Sequence, residues 1–220
     1  MKEPVVELSG IHLRTDRGSY VFRDMSLTIE PGQSVVIDGP SGAGKTSLAE
    51  LLVGLRRPER GSIRLFGREV RPGRKRAVRE ARRRIGGVGG VFDLVPSLTV
   101  AENITLPLVI AAERKKVQRE RLLKMLSEFS LLKLAGKYPQ HLTRVERTLV
   151  QIARAAIANQ PLIIIDEPSA GLDPATYDRV SEFLVRIAVS GRSMLLLVSQ
   201  EPPGTIPNTR HLRLSNGVLE

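Results

Sequence analysis

The sequence contains no cysteine and no tryptophan, and aromatic residues make up only 4% of its 220 residues. Without cysteine the chain can form no disulfide, no thiolate nucleophile and no cysteine metal site, and it suits a reducing cytoplasm. No apolar run approaches the roughly 20 residues that cross a bilayer. The first residues, Met1-Lys2-Glu3-Pro4, lead into a strand-like alternation instead of an apolar signal core. We therefore expect neither a secretion signal nor a transmembrane helix.

Acidic residues are scarce beside basic ones, and the formal net charge is +11. Much of the excess lies between Arg68 and Arg84, which we call the basic segment: nine Lys/Arg stand there against two acids. Three interpretations stay open, namely a solvated helix face, contact with anionic lipid headgroups and contact with nucleic acid. The basic segment has no aromatic residue on which bases could stack, which favours lipid or an acidic protein partner over nucleic acid.

Short apolar segments alternate with amphipathic ones, a pattern typical of an α/β fold with a mostly parallel sheet. The N-terminal segments alternate with period two, which predicts an additional antiparallel β part. Length and pattern together predict one domain over residues 1–220, with a helical subdomain at about Leu94–Tyr138. Within that subdomain Thr99 and Glu102 predict a capping box for a helix that ends before Pro107. Other predicted elements are strands at Tyr20–Phe22, Ser26–Glu30, Ser34–Asp38, Val88–Phe92 and Leu162–Asp166, and helices at Lys45–Val53, Arg74–Arg84 and Arg144–Ala158.

The segment Gly39–Thr46 has the pattern Gly-x-x-x-x-Gly-Lys-Thr, and it follows a predicted strand and opens a predicted helix. That is the context of a phosphate-binding loop, in which glycines let backbone N–H groups wrap the phosphates and the helix N-terminus faces them. Lys45 is expected to neutralise the β- and γ-phosphates, and the Thr46 hydroxyl to bind Mg²⁺. We predict binding of a nucleoside triphosphate, ATP with Mg²⁺, by Gly39, Pro40, Ser41, Gly42, Ala43, Gly44, Lys45, Thr46 and Ser47.

A second candidate is the pair of acids that ends the apolar segment Leu162–Asp166. The carboxyl ends of strands are where open α/β sheets bind ligands. Asp166 is expected to hold Mg²⁺ through water, and Glu167 to polarise the attacking water as general base. Two acids after a strand are often only a solvated strand end, but together with the upstream phosphate loop they predict a hydrolytic site.

With these motifs in place, the chain resembles the ATP-binding-cassette (ABC) ATPase subunits over its whole length. The matching stretches are Gly39–Thr46, Asp166-Glu167-Pro168, the D-loop-like Ser169–Asp173, Tyr138-Pro139 and Ala153-Arg154-Ala155. The length and the stretch from Phe92 to Asn103 are most similar to the compact lipoprotein-release and cell-division branches. The resemblance implies an ATPase chain that is cytoplasmic and peripheral on the inner face of the cell membrane. It also implies an integral membrane partner and a homodimer, or a heterodimer with another cassette.

The signature of the family, Leu-Ser-Gly-Gly-Gln, is altered to Leu142-Thr143-Arg144-Val145-Glu146. In the family this segment clasps the γ-phosphate bound to the opposing subunit. Thr143 keeps a hydroxyl, but Arg144 and Val145 carry side chains where backbone must come close. Arg144 offers a charge to the phosphate as an alternative. We expect the clasp to be weakened or lost.

Three further positions depart from the family pattern. Asp93 replaces the Q-loop glutamine, keeping the ability to bind Mg²⁺, and Gln200 replaces the switch histidine, keeping a hydrogen bond to the γ-phosphate but not an imidazole charge. No aromatic residue occupies the usual adenine-stacking position near Thr15–Arg17, which leaves Tyr20, or a cation such as Arg14, as candidates. Hydrolysis is therefore expected to be slow or partner-dependent. The alternative is a nucleotide-binding switch without useful hydrolysis.

Overall fold

A computed structural model describes residues 3–15, 17–71, 75–167, 172–199 and 206–220, and within them the chain forms ten strands and six α-helices. The strands are β1 Val6–Arg14, β2 Tyr20–Ile29, β3 Ser34–Asp38, β4 Arg60–Leu65, β5 Arg68–Glu69, β6 Ile85–Val88, β7 Leu162–Asp166, β8 Ser193–Val198, β9 Thr209–Ser215 and β10 Val218–Leu219. The helices are α1 Lys45–Leu52, α2 Lys75–Arg83, α3 Val100–Ile110, α4 Lys115–Glu128, α5 Arg144–Ile157 and α6 Pro174–Val189. Short 3₁₀ turns cover Leu132–Leu134 and Pro139–His141.

The central sheet has the strand order β10-β9-β3-β8-β7-β6, with only β10 antiparallel to its neighbour. Its inner strands are apolar on both faces because helices and the second sheet cover both sides. On β7, Ile164 packs in the hydrophobic cluster with α1, whereas Ile163 and Ile165 pack in the cluster with α5 and α6. The carboxyl ends of β3, β8, β7 and β6 therefore line one edge, which is where the site lies. The predicted mostly parallel α/β sheet is confirmed.

A second, antiparallel sheet has the order β2-β1-β4-β5 and packs over α1. The two strands predicted at Tyr20–Phe22 and Ser26–Glu30 are in fact one strand, β2. Register shifts against β1 and a left-handed Asp24 (φ 54°) interrupt the alternation while the ladder continues. An irregularity of this kind breaks the period-two pattern without ending the strand.

The strand predicted at Val88–Phe92 is wrong in position, because β6 runs from Ile85 to Val88. Glycines 86 and 87 lie within β6, where they permit close packing. A Cβ on Gly86 would lie 2.2 Å from the Ala155 carbonyl oxygen, and one on Gly87 would lie 1.9 Å from the Phe92 ring. Only glycine lets β6 approach α5 and Phe92 this closely.

Helix α3 begins with the predicted capping box, in which the Thr99 side chain accepts from Glu102 N and the Glu102 side chain accepts from Thr99 N. The prediction that this helix ends before Pro107 is wrong, since it continues to Ile110. Burial of Leu108 on the same face as Ile104 offsets the hydrogen bond that proline cannot donate.

Helices α3 and α4 pack with α5 in one hydrophobic cluster, and the Phe129 and Phe183 rings meet edge to face with centroids 4.8 Å apart. The limits of a separate subdomain at Leu94–Tyr138 stay a prediction. None of the helices in the described ranges is long and apolar enough to cross a membrane.

The basic segment forms β5 and α2, and several of its cations contact groups of the same chain. Arg68 and Arg76 both pair with Glu80, and the Arg82 Nε donates to the Val53 carbonyl oxygen at 2.7 Å. Residue Arg74, the predicted start of the helix, lies outside the described residues. Contact of this surface with anionic lipid stays a prediction.

Candidate functional site

The loop between β3 and α1 has the backbone that a phosphate-binding loop requires. Gly42 and Gly44 have φ values of 82° and 109°, in the left-handed region that side chains disfavour. A Cβ on Gly44 would lie 2.7 Å from Val21 Cγ1, so β2 packs directly on the loop. No side chain caps the N-terminus of α1 and no acid stands in its first turn. The first N–H groups of α1 can therefore donate to an anion.

Lys45 is a buried cation at the start of α1, with 6% of its surface exposed. Its Nζ donates to the carbonyl oxygens of Gly39 at 2.7 Å and Pro40 at 3.1 Å, and lies 3.7 Å from Glu167 Oε1. The ammonium group thus stands inside the loop, where phosphate oxygens would meet it.

Thr46 and Asp166 meet across the sheet edge, with the Thr46 Oγ1 donating to Asp166 Oδ2 at 2.8 Å. Burial raises the pKa of the Asp166 carboxyl, and the charge of Glu167 adds to this, while the Thr46 hydrogen bond and the Lys45 charge lower it. A hydroxyl beside one carboxylate is the hard oxygen set that Mg²⁺ takes together with phosphate and water. These residues therefore fit the predicted cation.

Glu167 follows β7 in a left-handed conformation, with φ 58°. Its backbone N–H donates to the Leu197 carbonyl oxygen at 2.8 Å, and its Oε2 accepts from Ser199 N at 3.2 Å. A non-glycine residue in this region costs on the order of 1–3 kcal/mol and is held only by its surroundings. Here the end of β8 provides that restraint and directs the carboxylate towards Lys45.

A cavity of about 570 Å³ opens over these groups, and the phosphate loop, Asp166 and Glu167 line it. The cavity is also lined by Arg144 and by residues that carry no motif in the sequence: Gly89, Gly90, Arg147, Thr148 and Gln151. The signal available in the sequence was a polar stripe at positions 144, 147, 148 and 151, which share one face of α5.

Asp93 lies apart from this cavity. Its Oδ1 accepts from Leu94 N at 2.7 Å, and the residue lines a second cavity of about 840 Å³ between α2, β6, α3 and α5. Metal binding by Asp93 stays a prediction that this placement does not favour. Gln200 and the D-loop-like residues 168–171 lie outside the described residues.

The altered signature forms a capping box at the start of α5. The Thr143 Oγ1 accepts from Glu146 N at 3.2 Å, and a Glu146 carboxylate oxygen accepts from Thr143 N at 2.7 Å. Arg144 and Val145 occupy the first turn with full side chains.

Tyr20, the candidate for contacting the base, lies at the start of β2 one residue before Val21, which packs on the phosphate loop. The guanidinium groups of Arg14 and Arg23 lie 4.3 Å and 4.8 Å from its ring centroid. The two candidates for contacting the base, the aromatic ring and the Arg14 cation, thus lie against each other, and Tyr20 is 42% exposed.

A glycine loop around a lysine, a hydroxyl–carboxylate pair and a second acid, all at the carboxyl edge of a parallel sheet, define a P-loop nucleotide-binding protein. Comparison with known sequences narrows this class. The sequence profile described as "ABC transporter" matches residues 22–170. The chain therefore belongs to the ABC transporter family and is an ATP-binding ATPase subunit of the ABC type that uses Mg²⁺.

Individual relatives agree with this assignment. The chain is 28% identical over 215 residues to the "Cell division ATP-binding protein FtsE" of Bacillus subtilis, covering 98% of this chain and 94% of that protein. It is 33% identical over 195 residues to the "Methionine import ATP-binding protein MetN" of Latilactobacillus sakei, covering 89% of this chain but only 57% of that protein. The similarity to FtsE agrees with the expected cell-division branch.

Solved structures confirm the fold class. The dimeric "MJ0796, a Bacterial ABC Transporter Cassette" superposes with a TM-score of 0.85 at 26% identity, covering 98% of this chain and 96% of that one. A post-hydrolysis dimer of the same cassette, bound to ADP and Pi, gives a TM-score of 0.84 at 27% identity with the same coverage.

Proposed function

We propose that the chain binds Mg-ATP at the first cavity and hydrolyses it slowly, or only with a partner, to drive an integral membrane subunit. The observation that carries the proposal is the convergence of Lys45, the Thr46–Asp166 pair and Glu167 on one cavity. The relatives named for cell division and methionine import, both ATP-binding proteins, support this assignment.

The chemistry follows from the charges that the cavity presents. Lys45 and the first N–H groups of α1 neutralise phosphate oxygens, and Thr46 and Asp166 would hold Mg²⁺, which would supply further positive charge to those oxygens. The Glu167 carboxylate, fixed by Ser199 N, accepts a proton from the attacking water. These groups make hydrolysis within this chain chemically possible.

The altered residues at the start of α5 are the reason for proposing slow or partner-dependent turnover. In a dimer this segment would face the nucleotide of the other subunit, and Arg144 and Val145 replace the glycines that let backbone approach a phosphate. A homodimer would carry two altered sites. In a heterodimer the partner's signature would complete the site described above.

The second cavity is the proposed contact with the membrane subunit. Phe92, Leu106 and Ile110 give it an apolar lining, while Arg79 and Arg83 make its rim positive. Ile110 is also 49% exposed at the end of α3. The apolar lining suits an apolar cytoplasmic segment of the membrane subunit, and the positive rim suits acidic residues on that segment. Such a contact would place the chain in the cytoplasm, peripheral on the inner face of the cell membrane.

Copurification with the membrane subunit tests this proposal. Ile110→Asp puts a desolvated charge in the contact, and it should reduce recovery of the membrane subunit after mild detergent extraction at least about tenfold. Val189→Asp makes the same type of change at a 72% exposed position on α6 and should leave recovery unchanged. Equal recovery with both variants would show that the membrane subunit binds elsewhere.

A further inference from the structure

Gln151 is a buried polar residue in α5 that stands between the two cavities, with 8% of its surface exposed. Its Oε1 accepts from Gly89 N at 2.9 Å, and its Nε2 lies 3.5 Å from Asp93 Oδ1. The residue also lines the first cavity. Nothing in the mechanism proposed above uses its carboxamide.

The turn that Gln151 holds lies directly against Asp166. Gly89 and Gly90 have φ values of 72° and 47°. A Cβ on Gly89 would lie 2.1 Å from the Asp166 carbonyl oxygen, and one on Gly90 would lie 2.4 Å from Asp166 Oδ2. That carboxylate oxygen also accepts the hydrogen bond from Thr46. The position of this glycine turn therefore sets the room around the proposed cation ligand.

We propose that Gln151 is a positioning residue, which fixes the Gly89–Gly90 turn against Asp166 and so shapes the metal end of the phosphate site. This inference rests on the proposed function. An apolar residue at this position would leave the Gly89 N–H without its acceptor. A carboxylate would accept that hydrogen bond but would add a negative charge beside Asp166 and Glu167. A neutral side chain with an acceptor satisfies both requirements.

The test compares Gln151→Ala with Gln118→Ala, the same change at a helix position whose Nε2 donates to Glu113 O, away from the site. Two quantities are measured: the hydrogen exchange of the peptide that contains Gly89, and the affinity for ATP by calorimetry in EDTA and in Mg²⁺. Gln151→Ala should speed exchange at Gly89 and reduce the gain in affinity that Mg²⁺ provides by about three- to tenfold, the range of one lost hydrogen bond. Its affinity for ATP in EDTA should stay within about twofold of wild type, since the phosphate loop is untouched. Gln118→Ala should match wild type in both measurements.

An unchanged gain from Mg²⁺ in Gln151→Ala, or an equal loss of affinity in EDTA and in Mg²⁺, would overturn the inference and leave Gln151 a packing residue. If Gln151→Ala does not fold, Gln151→Glu replaces it, because a carboxylate keeps the acceptor for Gly89. That variant should keep slow exchange at Gly89. Its loss of ATP affinity relative to wild type should be larger in EDTA than in Mg²⁺, because the added negative charge is not offset in EDTA. An equal loss in both conditions would again refute the inference. A wild-type chain that binds no Mg-ATP would refute the proposed function itself.

Discussion

Replacing Glu167 by glutamine removes the proposed general base while keeping its shape. The new side chain still accepts from Ser199 N, and the backbone hydrogen bond to Leu197 is unaffected. What disappears is the proton acceptor and the negative charge 3.7 Å from Lys45 Nζ. Positioned acid–base groups contribute about 10²- to 10⁴-fold to rate, so we expect ATP turnover to fall by at least about 10²-fold.

The affinity of Glu167→Gln for ATP, unlike its turnover, should not fall. Two unit charges about 4 Å apart interact by up to about 4 kcal/mol at an effective dielectric constant of about 20. Losing the Glu167 charge frees Lys45 for phosphate and removes a repulsion, so affinity for Mg-ATP should stay equal or increase. Phosphate release, measured alone and with the membrane partner, gives the first quantity, and calorimetry gives the second.

The wild-type rate with the partner is the reference for this experiment. Turnover within about threefold of wild type in both conditions would refute the assignment of Glu167 as base and favour a binding switch. A large loss of ATP affinity would instead mean that the Glu167 carboxylate mainly holds the loop in place.

Two further predictions concern the same cavity. Asp166→Asn should raise the free energy of unfolding at neutral pH by about 0.5–2 kcal/mol without nucleotide or Mg²⁺. Because burial raises the pKa of Asp166 in the folded chain, the stabilising contribution of the protonated acid is lost as pH rises through that pKa. The difference in thermal stability between Asp166→Asn and wild type should therefore shrink in acid. A difference that does not change with pH would contradict this prediction. Gly44→Ala should destabilise the chain by about 1–3 kcal/mol and abolish ATP binding, since a Cβ there meets Val21 Cγ1 at 2.7 Å in a left-handed backbone, whereas Gly136→Ala, with open space around its Cβ, should do neither.

The sequence predicts the parts of this protein that depend on local pattern. The phosphate loop, the acids after β7 and the capping box at Thr99 follow from residue types at fixed spacing, and the structure places the loop, Asp166 and Glu167 in one cavity. The similarity to ABC cassettes extends that agreement to the whole fold.

The parts that depend on tertiary contact were not predictable in this way. The place of Gly86 and Gly87 inside β6 depends on the approach of α5 and Phe92, and Pro107 indicates a helix end until Leu108 is seen to be buried. Gln151 has no motif of its own, and its relation to Gly89 and Asp166 arises only from the packing of α5 beside β6 and β7. Likewise, the sequence around Asp93 does not show that this residue lies outside the phosphate cavity.

The close packing of β6 on α5 has a mechanical consequence. At Gly86 no side chain lies between the backbone of β6 and the Ala155 carbonyl of α5, and at Gly87 the backbone packs directly on the Phe92 ring. Side chains elsewhere in a core can absorb a small displacement by changing rotamer, but backbone in direct contact cannot. The packing of β6 on α5, in the wall of the second cavity, therefore leaves no rotamer change by which a displacement at Gly86 could be absorbed.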